Sequence, residues 1–442
     1  MKRISKPISL LLAVLMAALL AAVPGCAGPQ QQTDLQQPSD QGGGSQAQGA
    51  ATGKVLKIGL VVPLTGGSAR SGEEFKRATE MVFEDAGYMI GDYKVEIVLI
   101  DDGSDPDTGT RAYEQAIQQS GIDVGLCIWN SSVGSAVMEV LAKHKFPHFF
   151  SYSAAAIVNE KFHSDDKYTY MTTKSWATPS KLMSEAYVST FQQAMESGTW
   201  DRARNKIFIY GEDNDWGRDF GASVGQGFKD IGWEIVGEEY FKSGDTDMYA
   251  LLAKMRSSGA HVVAGSATTT PSVAALIKQS QEVNLTALMI CDGLGYIGDW
   301  YDLTGDASDF ILDSVPVFAT PESKAFADRF RAKYNLEPSA ACAGQQYDFT
   351  RFFIKVGEAT IAEYGELTRE SLYRFAREKL WTGQFTFTDG IIMDEIKYDA
   401  NSIPDPVVGE GYYIFPVVQY FGGEPHAIWP HSQKEADLRL PD

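Results

Sequence analysis

Lys57-Ile-Gly-Leu-Val-Val-Pro-Leu-Thr-Gly-Gly-Ser-Ala-Arg-Ser-Gly-Glu73 is the stretch whose reading decides the fold. Leu56 to Val62 is a short apolar, β-branched run closed by Pro63, the pattern of a strand buried on both faces. Phe75, Ala78, Met81, Val82 and Phe83 then recur near helical spacing, which predicts an amphipathic helix to about Ala86. Between strand and helix lies a loop of glycine and small hydroxyl residues. In a doubly wound sheet such a loop opens onto the ligand crevice, and small side chains let a ligand approach the backbone.

Working outward, strand and helix patterns alternate. Strands are predicted at 94–102, 123–129 and 149–153, with helices at 108–120 and 133–144 between them. A second series has strands at 206–210, 234–241, 261–265 and 287–291, and helices at 216–231, 248–258 and 271–282. Alternation of this kind predicts an α/β fold with parallel sheets covered by helices on both faces. The two series begin alike and read as two similar lobes. The break between them falls at 174–206, and helices at 322–334, 340–364 and 368–380 read as a return to the first lobe. Strands at 384–388, 395–398 and 412–421 read as a crossing back to the second. Lobe 1 is therefore expected at 54–174 and 319–383, and lobe 2 at 175–318 and 384–430, with a tail at 431–442. Several crossovers in one place would make a hinge.

The N-terminus reads as an export signal over residues 1–25. Lys2, Arg3 and Lys6 precede a nearly continuous apolar run from Ile8 to Val23, short for a spanning helix. It ends in Val23-Pro24-Gly25-Cys26, which looks like a lipobox whose cysteine becomes lipidated. Residues 26–53 are rich in Gln, Gly, Ser, Ala and Pro and read as a disordered tether. The expected product is a soluble body held outside the cell by an acylated Cys26.

The formal net charge is −20, and removal of Lys2, Arg3 and Lys6 with the leader makes the mature chain more acidic still. Phosphate binding needs clustered Lys and Arg, so nucleic acid is excluded as a partner. Besides Cys26 only Cys127, Cys291 and Cys342 remain, with no Cys-x-x-Cys pair. The six histidines do not cluster, and neither a metal nor a cofactor is expected.

Polar clusters fall in a consistent place. Ser68–Ser71, Asn130–Ser132, Ser151–Ser153, Asp213–Trp216, Ser266–Thr270 and Asp292 each follow an apolar strand. Two facing sheets would bring all of them to one cleft. Asn130-Ser131-Ser132 opens a helix whose free N–H groups suit an anion. Asp292 would face a ligand ammonium, and Trp216 would stack on a ligand or serve the core. Gly221-Ala-Ser-Val-Gly225 matches a nucleophile elbow, but Ser223 falls inside a predicted helix rather than at a strand-to-helix turn. Asp101-Asp-Gly-Ser-Asp-Pro-Asp107 lacks calcium-loop spacing and reads as a turn into the next helix.

From Lys57 to about Pro430 the chain resembles type I periplasmic binding proteins of the branched-chain amino acid (leucine/isoleucine/valine) receptor family of ABC importers. The resemblance rests on Ile58-Gly-Leu-Val-Val-Pro-Leu-Thr-Gly66 with Gly72, and on Ile100-Asp-Asp-Gly-Ser-Asp-Pro106. Asn130-Ser-Ser132, Ser151-Tyr-Ser-Ala-Ala155 and Tyr413-Ile-Phe-Pro-Val-Val-Gln419 complete it. It implies two Rossmann-like doubly wound lobes joined by a three-strand hinge, closing on a ligand without chemistry. It places Ser132 and Ser153, with Ser131 beside them, at the ligand carboxylate. A family threonine that holds the ammonium corresponds to Ala155, and the family's acidic ammonium partner to Asp292. Family tyrosines fall on Ser71, Trp216 and Thr269, so the pocket wall is rebuilt. Ser104 stands where a family cysteine would pair with Cys127, and Cys291 and Cys342 match positions near the cleft where they could be bridged. The expected function is a lipid-anchored receptor, acting as a monomer, that hands an amino acid or related carboxylate or amide to an ABC permease. An exported hydrolase using Ser223, or a ligand sensor of the same fold, are the other readings.

Overall fold

A computed structural model of the chain describes residues 53–409 and 411–441. The leader, Cys26 and nearly all of the tether lie outside the described residues. Strands β1 (Val55–Val62), β2 (Met89–Ile90), β3 (Tyr93–Asp101), β4 (Val124–Cys127) and β5 (His148–Phe149) form one sheet in the order β2-β3-β1-β4-β5. A second sheet contains β6 (Lys206–Glu212), β7 (Glu234–Phe241), β8 (Val262–Ser266), β9 (Leu288–Asp292) and β10 (Leu312–Ser314). A separate pair, β11 (Thr386–Phe387) and β12 (Ile396–Lys397), precedes β13 (Val417–Phe421) and β14 (Glu424–Trp429), which finish the second sheet in the order β14-β13-β10-β9-β8-β6-β7. In both sheets the first long strand lies between its second and third parallel neighbours, so both have the same doubly wound start.

Helices α1 (Ala69–Asp85), α2 (Pro106–Gln115), α3 (Ser131–His144) and α4 (Ala156–Ser164) serve the first sheet. After α5 (Pro179–Leu182) and α6 (Ser184–Glu196), helices α7 (Asp215–Asp230), α8 (Tyr249–Ser257), α9 (Thr270–Glu282) and α10 (Trp300–Thr304) serve the second. The chain then returns through α11 (Pro321–Tyr334), α12 (Gln345–Tyr364) and α13 (Arg369–Phe375). α12 packs on the first lobe, with Phe353 against Phe149 and Gly357 against Ile90. The two-lobe α/β architecture read from the alternation is the one found.

The residues that make β1 legible also bury it. Leu60, Val61 and Val62 have no exposed surface. Burying such a side chain contributes roughly 1.5–3 kcal/mol. Asp105 caps α2 as the Asp-Pro pair suggests, its carboxylate accepting from the Thr108 N–H at 2.8 Å. Elsewhere the chain departs from expectation. β5 is only two residues long, because Phe150 already bonds to the Thr173 carbonyl and Ser153 turns to a φ of 61°. Residues 384–398 were expected in the second lobe, yet Phe387 and Tyr398 pack on Phe352 of α12. A fully buried ion pair, Lys174 with Asp405 at 2.8 Å, holds the following loop in place. β14 is an addition, turned by Gly422 and Gly423, both at positive φ. The bridge considered for Cys291 and Cys342 is not formed: Cys127, Cys291 and Cys342 are all free and buried. Cys342 Sγ donates instead to the Tyr296 carbonyl at 3.4 Å.

A buried carboxylate joins separate parts of the molecule. Glu74, on α1, has no exposed side-chain surface and pairs with Arg70 at 2.7 Å. Its Oε1 also accepts from the Gly298 N–H at 3.3 Å. Its Oε2 accepts from the N–H and hydroxyl of Ser339, both at 2.7 Å, and from the Ala343 N–H at 3.2 Å. Arg70 reaches on to Asp299 and to the Glu337 carbonyl. α1 is thereby fastened to the loop after β9 and to the entrance of α12.

Gly72 lets α1 come down on the end of β1. A Cβ there would lie 1.9 Å from the Pro63 carbonyl oxygen, a backbone atom that cannot swing aside. Gly72→Ala should therefore destabilise the protein by about 1–3 kcal/mol, read as a lower urea midpoint at unchanged slope.

Candidate ligand-binding site

The carboxyl ends of the strands of both sheets face one cavity of about 490 Å³. That size suits a small organic solute. The first lobe contributes the loops after β1, β3, β4 and β5, and the second lobe those after β6, β7, β8 and β9. Asp101 shapes the first rim: its carboxylate accepts from the N–H groups of Leu64, Thr65 and Gly103 and from the Thr65 hydroxyl. These bonds hold its pKa below the usual value despite partial burial.

Ser131 and Ser132 begin α3, whose N-cap Asn130 makes no side-chain capping bond. The first-turn N–H groups of α3 are thus open to an acceptor at the cavity. Ser131 Oγ accepts from the Ala155 N–H at 3.1 Å, and Ser153 Oγ donates to the Asn130 carbonyl at 3.2 Å. Gly134 makes room for Ser153, since a Cβ there would lie 2.4 Å from its hydroxyl oxygen. The rims of the two lobes meet across the cavity. Ser132 Oγ accepts from the Asp215 N–H at 3.2 Å, Asp219 from the Ala156 N–H at 2.7 Å, and the Gly67 carbonyl from the Thr270 N–H at 3.2 Å.

The remaining wall is aromatic. Trp129, Tyr152, Trp176 and Tyr296 line the cavity, and each ring touches two of the others. Their centroids are 4.9 Å apart for Trp129–Tyr152, 5.8 Å for Tyr152–Trp176, 5.7 Å for Trp176–Tyr296 and 5.1 Å for Trp129–Tyr296. Trp216 completes the wall from α7. Tyr152 donates to the Ala341 carbonyl at 2.9 Å. Trp216 Nε1 and the Tyr296 hydroxyl donate to the two oxygens of Asp292, each at 2.6 Å.

A family model described as periplasmic binding protein matches residues 55–395. The chain belongs to the periplasmic binding protein family. It is 25% identical over 338 residues to the leucine-, isoleucine-, valine-, threonine- and alanine-binding protein of Pseudomonas aeruginosa, covering 72% of this chain and 83% of that one. Among solved structures it resembles a leucine-binding protein from Thermotoga maritima, with a TM-score of 0.65 and 19% identity over 84% of this chain and 97% of the other. It also resembles a solute-binding protein of an ABC transporter from R. palustris in complex with benzoate, with a TM-score of 0.68 and 19% identity over 85% and 95%. The two-lobe fold and the periplasmic binding protein family suggested by the sequence motifs are thus the right ones. This periplasmic binding protein is a binder and not an enzyme. Ser223, the residue of the hydrolase reading, sits within α7 and its hydroxyl donates to Asp219 of the same helix at 3.3 Å.

Within the binding protein, Ser131, Ser132, Ser153, Trp216 and Thr269 all line the cavity. Ser71, Ala155 and Asp292 do not. Ser71 is buried in α1, its hydroxyl donating to the Tyr296 carbonyl at 3.4 Å. Ala155 lies behind Ser131 and has no exposed surface. Asp292 lies beneath Trp216 and Tyr296, also without exposed surface. Burial raises its pKa to about 6, against hydrogen bonds from Tyr296 and Trp216 that favour its charged form. Thr269 serves a second buried carboxylate: its N–H and hydroxyl both donate to Glu212. Trp129, Tyr152, Trp176 and Tyr296 were missed as site residues. Their only signal was position, since Trp129 precedes and Tyr152 lies within polar clusters already chosen for the cleft.

Asp102, beside the rim residues Gly103 and Ser104, gives a pH test. Burial raises its pKa to about 7, assisted by the charge of Asp101 and opposed by a bond from the Ser104 N–H. The folded protein therefore holds a proton that the unfolded chain releases near pH 4. The stabilisation is complete below that pH and is lost as pH rises through about 7. Asp102→Asn should flatten this slope and raise stability at pH 8 by a few kcal/mol, given about 1.4 kcal/mol per tenfold change in protonation. Urea titrations at pH 4.5 and 8 check it.

Proposed function

We propose that this protein is a lipid-anchored extracytoplasmic receptor that captures a small carboxylate-bearing solute between its lobes and delivers it to an ABC permease. The observation that carries the reading is the cavity at the facing strand ends, with the uncapped start of α3 and the Ser132 hydroxyl, whose proton is not engaged, on one side. Helix N–H groups and hydroxyls suit a carboxylate, whose charge the helix dipole favours. Family membership supports an extracytoplasmic site of action. One relative is named for amino acids and one neighbour holds benzoate; a carboxylate is what those solutes share.

Closure is supported by the cavity's place between the two lobes, whose rims meet at Ser132, Asp219 and Gly67. The polypeptide passes between the lobes after β5, after β10 and before β13. Rotation about such crossings is a common way to open a two-lobe receptor. No helix of the described residues is long and apolar enough to cross a membrane. Anchoring then rests on Cys26, with 26–53 as the tether.

A solute bound only by the native state raises the melting temperature. A panel of amino acids, aliphatic and aromatic carboxylates, amides and urea should give a shift of several degrees for at least one carboxylate and none for its methyl ester. Silence across the panel from a folded sample would refute the receptor reading. Separately, Cys26→Ser should move the protein from the membrane fraction to the soluble fraction on cell fractionation.

A further inference from the structure

We infer that the solute is an aromatic carboxylate without an α-ammonium group, its ring received by a wall that Asp292 holds in place. The inference rests on the receptor reading above and specifies the substrate class of that same cavity.

The argument starts from what Asp292 has left to offer. Both of its oxygens are engaged at 2.6 Å, one by the Trp216 indole N–H and one by the Tyr296 hydroxyl. Those two side chains lie between the carboxylate and the cavity, which Asp292 does not line. An ammonium would have to displace one of two short charge-assisted bonds and then remain buried. Ala155 supplies no hydroxyl for the same group and is itself sealed from the cavity. Two other carboxylates line the space. Asp213 is bound by Arg218 at 2.7 Å, and Asp215 lies in the first turn of α7, where the helix dipole already favours its charge. Neither is a buried, unpaired acid of the kind that a desolvated ammonium requires.

What the cavity offers instead is ring surface and free donors. Trp129, Tyr152, Trp176 and Tyr296 hold one another in edge-to-face and tilted contacts, and Trp216 is fixed by Asp292. A flat ring gains from such walls beyond the area it buries. The indole N–H groups of Trp129 and Trp176 have no hydrogen-bond partner among the described residues, although both side chains line the cavity. Donors enclosed in an aromatic site favour an acceptor on the solute. With the α3 N-terminus on the same cavity, the site suits a ring carrying a carboxylate and no cation. In this account Asp292 is a positioning residue: it sets the angle of two walls and touches no solute.

The test is calorimetric titration of the intact mature protein with benzoate, 4-hydroxybenzoate and phenylacetate, set against L-phenylalanine, L-tyrosine, L-leucine and 3-methylbutanoate. The expected result is binding of at least one aromatic acid, at least tenfold tighter than any of the amino acids or the aliphatic acid. Trp216→Ala should weaken that aromatic acid at least tenfold. Asp292→Asn, which keeps only one acceptor, should narrow the ratio of aromatic to aliphatic affinity, an effect that a merely structural role would not produce. Tighter binding of an amino acid or of 3-methylbutanoate would overturn the inference and leave the receptor reading standing. Binding by none of these, together with silence across the wider thermal panel, would overturn both.

Discussion

The Glu74 carboxylate is the interaction on which the arrangement of the lobes depends. It is wholly buried, and burial raises its pKa even with Arg70 beside it. A lone charge in such a place would cost several kcal/mol. The cost is offset because the donors come from three directions: Arg70 along the same helix, Gly298 from the loop after β9, and Ser339 with Ala343 from the approach to α12. Each donor lies on a segment that also shapes the cavity's surroundings. The loop that gives Gly298 also carries Tyr296, and the turn that gives Ala343 begins where Ala341 receives the Tyr152 hydroxyl. The aromatic wall inherits its geometry from this polar knot. A shift in the knot would therefore be felt at the rings before it was felt in either sheet.

A second carboxylate repeats the logic one layer further in. Asp292 terminates β9, and the strand places it under the wall while Trp216 arrives from α7. Its neighbour Asp313, on β10, is also buried, with its pKa pushed well up by burial and by the Asp292 charge. Glu212, at the end of β6, gathers Thr268, Thr269 and, through Ser243 and Asn214, the rim of the second lobe. Two acids at strand ends, Asp292 and Glu212, thus organise neutral polar and aromatic side chains that face the cavity. The chemistry of recognition is displaced outward from charge to shape.

Much of this was legible in the chain. Runs such as Leu56–Val62 have one reading because an apolar β-branched segment closed by proline must be buried and must turn. Asp105-Pro106 announced its cap, and the polar ends of strands announced the crevice. Ser131, Ser132, Ser153, Trp216 and Thr269 were found because they follow strands directly. The rest was hidden for physical reasons. Asp292 looks identical whether it meets a ligand or holds a wall, and its partners Trp216 and Tyr296 could be matched to it only in three dimensions. Trp129, Tyr152 and Trp176 have the composition of core residues, since a ring that lines a cavity is buried almost as fully as one that fills a core. The short ladder of β11 and β12 alternates like any edge strand, and its contacts with Phe352 and Asp348 of α12 determine which lobe it joins.

The three free thiols have a consequence for how the protein is made. Burial pushes the Cys127 thiol up to about 12 and raises Cys291 and Cys342 as well, so the nucleophilic thiolate is suppressed in the folded state. A chain that matures outside the cytoplasm meets oxidants, and the lack of any bridge among these cysteines means that its folding does not wait on thiol oxidation or on disulfide exchange. The same packing that builds the two sheets doubles as redox protection, and thiol reactivity marks a molecule that has not finished folding.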